Sequence, residues 1–329
     1  MMQNRFFVVV FSALAFVLIA FGAGHGLMRH IETKPCLREN AQLLYIEPGW
    51  TVRQVSQAAK QLELVSEGWH LRLISKWRGM DRAFYAGEYE ILPTDTLADF
   101  LQKVRLQQTF KHRLVVPEGA SVREAELVIR ASQGLDLVDF QLPPEGTLLP
   151  ETYFYERSDT AGELIQRMVN AQRTAFEDRW ASRAPDLPYK SMEEAIILAS
   201  IVEKETGVAS ERDLVAAVFV NRLKRNMRMQ SDPTVIYGIT QGLPLGRPIS
   251  RADLRNDTPY NTYRRSGLPP TPIANPGLAS FAAAINPASV PYLYFVADGT
   301  GGHAFAETLA EHNKNVARWR QIQNGSRQP

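Results

Sequence analysis

The feature that most constrains this chain is a run near its N-terminus, Phe6 to Gly24 (FFVVVFSALAFVLIAFGAG), with no charge and one hydroxyl, Ser12. Coiled as a helix at ~1.5 Å per residue, the run reaches ~28 Å, close to the thickness of a bilayer's hydrocarbon core. It reads as a membrane anchor. A cleaved signal peptide is the competing reading, because Gly22-Ala23-Gly24 supplies the small residues a signal peptidase takes. Length favours the anchor, since signal cores usually hold ~7–15 apolar residues. Flanking charge leaves the orientation open: Arg5 and the α-amine precede the run, while Arg29, Lys34 and Arg38 follow it. Long domains can be exported past such charges.

The chain has 329 residues, which favours two domains at ~100–200 residues each. Hydrophobic residues at 45% and charged residues at 22% exclude disordered, collagen-like and disulfide-scaffold classes. A net charge of +2 is too small for a protein that grips nucleic acid by neutralising phosphates, so no nucleic-acid partner is expected. Cys36 stands alone, ruling out an intrachain disulfide or multi-cysteine zinc site, and just past the apolar run it is poorly placed for a nucleophile. Six histidines are scattered without metal-binding spacing, so neither a metal nor another cofactor is expected.

Between Tyr45 and Arg130 one pattern recurs three times: Tyr45–Val52 (YIEPGWTV), Ile91–Leu97 (ILPTDTL) and Val115–Val122 (VVPEGASV). Each reads as a short strand, a Pro-led turn, then a Thr or Ser that caps a helix. The first two copies, with a helical Trp69–Trp77 stretch between them, form a β-α-α-β-α unit that weakly resembles the LysM glycan-binding module. Generic strand-to-helix punctuation is the plainer alternative. Trp50, Trp69, Trp77 and Tyr85 are candidates for stacking on sugars, with core packing expected for two or three of them.

Further on, Leu148–Tyr155 reads as extended, and helices are expected over Ser158–Trp180 (capped by Ser158 or Thr160), Tyr189–Thr206 and Arg212–Arg225. The next sixty residues are dense in Gly, Pro and Asn, with seven prolines between Pro259 and Pro291. A loop region this long inside a domain usually carries function. Two strands (Tyr292–Ala297 and His303–Ala306) around an Asp298–Gly302 turn, then a helix from Thr308, close the chain. Helices and strands mix without βαβ alternation, so the fold class is α+β.

Ala195 to Val202 is eight residues without a charge, followed at once by Glu203-Lys204-Glu205. At ~100° per residue, Glu205 falls among Leu198, Ile201 and Val202, while Glu203 points ~160° away, beside Ile196, Ala199 and Ser200. A carboxyl on an apolar face is disfavoured in its charged form, so its pKa rises, as a general acid near neutral pH requires. The alternative is a helix end whose last carboxylates turn into water. Downstream, Asn221, Gln230, Asp232, Thr234, Tyr237, Asn261 and Tyr263 supply the amides, hydroxyls and aromatic faces that hold a sugar chain. Asp232-Pro233 also reads as an ordinary helix start, and Asn261-Thr262-Tyr263 as a plain turn. No G-x-S-x-G elbow, P-loop or helix-opening G-x-G-x-x-G is present. His303 and His312 fit structural hydrogen bonding better than base catalysis.

These blocks together resemble one family, the endolytic murein transglycosylases (MltG or YceG-like). The likeness rests on Leu198–Thr206 (LASIVEKET), Ser210–Asp213, Val218–Leu223 (VFVNRL), Gln230–Gly238 (QSDPTVIYG) and Tyr260–Tyr263 (YNTY). Gly267–Pro270, Ile273–Gly277, Tyr292–Val296, His303 with Phe305, and His312-Asn313 complete it. The segment Thr240–Pro248 (TQGLPLGRP) is looser. The resemblance implies residues 1–5 in the cytoplasm, 6–24 across an inner membrane, and a periplasmic bulk of a LysM-like domain (38–110) before a catalytic domain (111–329). It implies cleavage of the β-1,4 bond between N-acetylmuramic acid and N-acetylglucosamine inside glycan strands, leaving 1,6-anhydro ends and terminating nascent strands. Its catalytic glutamate, the second of the Glu-x-Glu pair, maps onto Glu205. Peptidoglycan is the expected partner, with cell-wall synthases beside it. Two alternatives stand: a water-using muramidase with Asp232 or Glu211 as second carboxylate, and a non-catalytic membrane-anchored scaffold that binds glycan.

Overall fold

A computed structural model of the chain describes residues 2–35, 39–80, 84–138 and 140–325, with the side chains of 2–9 and 325 left aside. Cys36 and Arg38, and with Arg38 the first residue of the 38–110 segment, lie outside the described residues, as does the side chain of Arg5. The chain divides into two compact units, Met1–His112 with Glu156–Ser158, and Arg113–Tyr155 with Asp159–Pro329.

The first unit opens with helix α1 (Met2–Glu32), followed by strand β1 (Gln42–Ile46), α2 (Val52–Gln61), α3 (Gly68–Trp77), β2 (Gly87–Ile91) and α4 (Leu97–Arg105). Val10–Glu32 is long and apolar enough to cross a membrane, and Phe11, Phe16 and Phe21 on it are exposed. At its far end Ile31 is buried and Glu32 accepts from Arg78 Nε at 3.1 Å, joining the helix to the rest of this unit. Strands β1 and β2 pair antiparallel, with Leu44 opposite Tyr89 and Ile46 opposite Gly87. Thr51 with Gln54, and Thr96 with Asp99, build reciprocal caps at the starts of α2 and α4. Each satisfies backbone N–H groups that a helix start leaves open, and losing such a cap typically costs about 1 kcal/mol. Of the four aromatic residues considered for stacking, only Trp50 packs on the core. Trp69, Trp77 and Tyr85 stay between 43% and 46% exposed, which corrects the expectation that two or three would be buried.

Strand β3 (His112–Val115) enters the second unit at Arg113, followed by α5 (Val122–Arg130), β4 (Thr152–Tyr155), α6 (Ala161–Trp180) and α7 (Met192–Glu205). It continues through α8 (Arg212–Lys224), α9 (Asp232–Thr240), α10 (Arg251–Arg255), α11 (Leu278–Ile285), β5 (Tyr294–Ala297), β6 (His303–Ala306) and α12 (Leu309–Gly325). Strand β3 pairs with β4, and β5 with β6. Helix α6 starts at Thr160, whose hydroxyl accepts from the Glu163 amide. The stretch expected to be loop holds three helices, α9, α10 and α11. Helix α11 (LASFAAAI) is apolar nearly all round, so it shows no amphipathic period, and no side chain caps it at Gly277. Its burial explains the composition: it packs on α7, with Phe281 stacked face to face on Phe176 of α6, ring centres 4.0 Å apart.

Every residue from Ala195 to Val202 on α7 is buried, which makes α7 the axis of this unit. Phe281 is fully buried there. Phe281→Ala is expected to cost about 3–5 kcal/mol of stability, the range for emptying a packed aromatic site. Urea unfolding of the detergent-solubilised chain measures it, and a loss near zero would mean that this stack carries little of the core.

Candidate active site

Leu198, Ile201 and Val202 are wholly buried on the face of α7 that Glu205 continues. The helix ends at Glu205, and Thr206 beyond it is extended (φ −140°, ψ 130°). The carboxyl therefore sits where the apolar stripe stops, partly exposed, at the edge of the core. Glu205 Oε1 accepts a hydrogen bond from Ser231 Oγ at 2.5 Å. Ser231 is itself fixed, since its N–H donates to Thr262 Oγ1 at 3.0 Å and the Gln230 N–H donates to the Thr262 carbonyl at 3.2 Å.

Burial is the main force on this carboxyl, raising its pKa. The Asp232 charge pushes the same way, while the Ser231 bond, His303 and Arg222 pull it down. The balance is a pKa of about 7. Both protonation states are then accessible near neutral pH, the condition for giving a proton and taking one back.

The two carboxylates of Glu-Lys-Glu divide their work. Glu203 turns to the opposite side, where its Oε2 accepts the Gly277 N–H at 2.8 Å and fixes the start of α11. A Cβ at Gly277 would lie 2.0 Å from Glu118 Oε1, so a larger residue there has to displace that side chain. The helix does end here, yet neither carboxylate is simply turned into water: one is a tie within the fold and the other lines a cavity.

That cavity, of about 440 Å³, is lined by Glu205, Arg222, Gln230, Asp232, Tyr263 and His312, with Met229, Phe295, Val296 and Val316 as its apolar part. The volume lies within the range of small-ligand sites. Tyr263 donates its hydroxyl to Asp232 Oδ1 at 2.7 Å, and burial and the Asp232 charge keep that phenol protonated. Asp232 is the first residue of α9, with Ser231 as its cap, one position earlier than the Asp-Pro start suggests. Gln230 adopts the left-handed region (φ 54°), which few residues other than glycine enter without strain.

Gln230, Asp232 and Tyr263 thus come together with Glu205. The other four sequence candidates lie elsewhere. Asn221 donates Nδ2 to the carbonyls of Val290 (2.7 Å) and Tyr292 (3.0 Å). Asn261, fully buried, donates to the carbonyls of Leu254 and Asn256. Thr234 bonds the Ser231 carbonyl and Thr262 Oγ1, beneath the cavity floor. Tyr237 donates to Glu145 Oε2 at 3.2 Å and borders a different cavity.

Three side chains outside those seven candidates complete the site, among them His312, for which the sequence suggested only structural hydrogen bonding. Arg222 is buried, donating Nε to the Leu293 carbonyl (2.7 Å) and Nη1 to that of Met229 (2.5 Å), with its guanidinium over the Tyr294 ring. Carbonyls satisfy its donors without cancelling its charge, which is why it still acts on Glu205. Ser231 is the partner of the carboxyl. His312 stacks on Tyr294 with ring centres 5.2 Å apart, and its Nδ1 is buried without a hydrogen bond among the described residues. Burial, then Arg222, lowers its pKa, so it faces the cavity as neutral imidazole. His303 behaves as a structural group, bonding Glu211 through both its N–H and Nδ1. Among the described residues no cluster of three or more His, Cys, Asp or Glu is placed to hold a metal ion.

A carboxyl with a pKa of about 7 on the wall of a polar cavity is able to give a proton and take one back near neutral pH. The YceG-like family model matches residues 44–318, and the chain belongs to that family. It is 40% identical over 172 residues to a Bacillus subtilis protein named endolytic murein transglycosylase, covering 52% of this chain and 47% of that one. A Streptococcus pneumoniae protein of the same name is 37% identical over 180 residues, covering 53% of this chain and 32% of that one. The chain therefore spans less than half the length of these curated relatives. A crystal structure of a yceG-like protein from Listeria monocytogenes, 27% identical, matches with a TM-score of 0.55 over 84% of this chain and 99% of that one.

The raised pKa makes stability depend on pH. Between the ordinary value of 4.5 and about 7 the folded state holds a proton that the unfolded chain releases, so stability falls as pH rises through that window. Glu205→Gln removes this loss and is expected to gain about 3 kcal/mol on the native chain between pH 4 and pH 8. Chemical denaturation at the two pH values measures it, and parallel curves would place Glu205 in water. Glu203→Ala strands the Gly277 amide and is expected to lower stability by about 1–3 kcal/mol at either pH.

Proposed function

We propose that this protein is an endolytic lytic transglycosylase of peptidoglycan, with Glu205 as its only acid–base group. The observation that carries this reading is the Glu205 carboxyl, held by Ser231 in a polar cavity and raised to a pKa of about 7 by burial. Protonated Glu205 gives its proton to the glycosidic oxygen as the bond to C1 of N-acetylmuramic acid breaks, through an oxocarbenium-like state. The carboxylate then takes the proton of the same sugar's 6-hydroxyl, whose oxygen closes on C1 as the 1,6-anhydro bridge. One proton is given and one returned, no water is consumed, and no second carboxylate is needed. Gln230, Asp232 and Tyr263 orient the glycan from the cavity wall. Thr234 and Asn261 hold backbone next to those three, while Asn221 and Tyr237 tie other segments of the unit and take no part in holding the glycan.

The membrane part of this reading takes residues 6–24 as an inner-membrane span, 1–5 as a cytoplasmic tail and the rest as periplasmic. Residues 38–110 are then a LysM-like glycan-binding domain, and 111–329 the catalytic domain. The β-α-α-β order between β1 and β2, and the exposed rings of Trp69, Trp77 and Tyr85, support a sugar-binding role for the smaller part. A tethered enzyme of this kind meets strands as synthases release them, and cutting there ends their growth.

A second reading is favoured by one observation: Asp232 shares the cavity with Glu205, so it is placed to activate water as a muramidase requires. Mass spectrometry of the products separates the two, because hydrolysis adds about 18 Da to the anhydro product. The native chain is expected to release anhydro-ended fragments from purified strands, and Glu205→Gln to release none while still binding glycan. Turnover by the Gln variant would remove Glu205 as the acid. Because the acid form is the active one, kcat/KM is expected to fall tenfold per pH unit above about 7. A profile flat to pH 9 would contradict that role.

A further inference from the structure

We propose that a second cavity, on the other side of the first turn of α9, receives the short peptide that muramic acid carries on its lactyl group; this rests on the peptidoglycan reading above. The cavity holds about 410 Å³, between α5, α9 and the segment 242–247. Ile236, Leu243, Pro244, Leu245 and Ile273 give it an apolar floor, and Lys204 and Glu124 stand at its rim.

Its place follows from two pairs of chain neighbours. Lys204 lines this cavity and Glu205 the catalytic one; Pro233 lines this one and Asp232 the catalytic one. Consecutive Cα atoms lie ~3.8 Å apart, and helical neighbours diverge by ~100°, so the two cavities flank the same pair of helix ends. A stem of about three to five residues spans ~10–17 Å when extended, enough to pass a helix ~10 Å across. A sugar whose C1 lies at Glu205 therefore brings its peptide within reach.

Charge agrees with that occupant. Lys204 Nζ donates to the Gly119 carbonyl at 3.1 Å, and among the described residues no carboxylate pairs with it. Arg247, the other cation on the rim, is already held by both oxygens of Asp253. One ammonium is thus left for an acid group, and stem peptides end in a carboxylate. Glu124, also on the rim, is already engaged, its Oε2 accepting the Ser121 N–H at 2.9 Å, which leaves Lys204 as the charged anchor. The wall is preformed: Ser121 Oγ donates to the Gly242 carbonyl at 2.6 Å, and Gly242 takes φ 91° with room for no Cβ.

The test uses the full chain in detergent, with glycan strands bearing their stem peptides and the same strands stripped by an amidase. Lys204→Gln, at an exposed position, is expected to raise KM about tenfold on peptide-bearing strands, the loss of one charge-assisted bond, and to leave kcat unchanged. On stripped strands its KM stays within about twofold of native. Ile236→Trp, which fills the floor, is expected to act in the same direction. Equal effects on both substrates, or none on either, overturn the proposal. If the native chain cuts neither strand, the lytic reading fails, and calorimetry with isolated stem peptide on Glu205→Gln decides the cavity separately. Binding that Lys204→Gln abolishes supports the peptide site; no binding, or binding that Lys204→Gln leaves intact, overturns it.

Discussion

The candidate site in the second unit depends on the desolvation of one carboxyl at the end of a buried helix. Eight successive residues of α7 are buried, and Glu205 sits one turn beyond them. A helix so enclosed cannot shift without opening the packing of α8 and α11 around it, so the carboxyl inherits the rigidity of the core. The same enclosure removes water from most of its surroundings, and that raises its pKa. Position and proton affinity come from one cause. They would be hard to obtain together on a surface loop, where solvent restores the ordinary carboxylate value.

Desolvation alone would leave a carboxyl too reluctant to ionise, and the neighbours temper it. Asp232 adds to the rise, while Ser231, Arg222 and His303 oppose it. Arg222 acts at a distance because its donors are occupied by carbonyls of Met229 and Leu293, which fix the guanidinium without neutralising it. Ser231 acts by contact and ties the end of α7 to the start of α9. That tie brings Asp232 into the cavity, since it follows Ser231 directly, and Asp232 in turn holds Tyr263. The wall of the cavity is thus assembled outward from the carboxyl.

Glu205 was legible in the sequence because it breaks a strong periodicity: its neighbours at three, four and seven residues before are Val202, Ile201 and Leu198. The caps at Thr51, Thr96, Ser121 and Thr160 were legible for the same local reason, a hydroxyl three residues before its reciprocal partner. Helix α11 was not, because Leu278–Ile285 is apolar on every face and needs its packing partners to be known. Arg222 and His312 were not, because their roles depend on β5, whose Tyr294 lies seventy-two residues after Arg222 in the chain. Long-range pairing leaves no trace in spacing.

The polar residues around the site divide by what their partners are. Asn221, Asn261 and Asn275 each spend their side-chain amides on backbone carbonyls of irregular segments: Val290 and Tyr292, Leu254 and Asn256, and Ala120. Those segments have few helical or strand partners of their own, and a buried carbonyl left unpaired is costly. An amide side chain supplies the missing donor from a fixed point of the core. Residue type cannot distinguish such a group from a sugar ligand, because the same donors and acceptors serve both. The distinction lies in whether a carbonyl already occupies them. By that test Gln230, Asp232 and Tyr263 belong to the cavity wall, and the asparagines belong to the scaffold that lets a Gly- and Pro-rich stretch hold one shape.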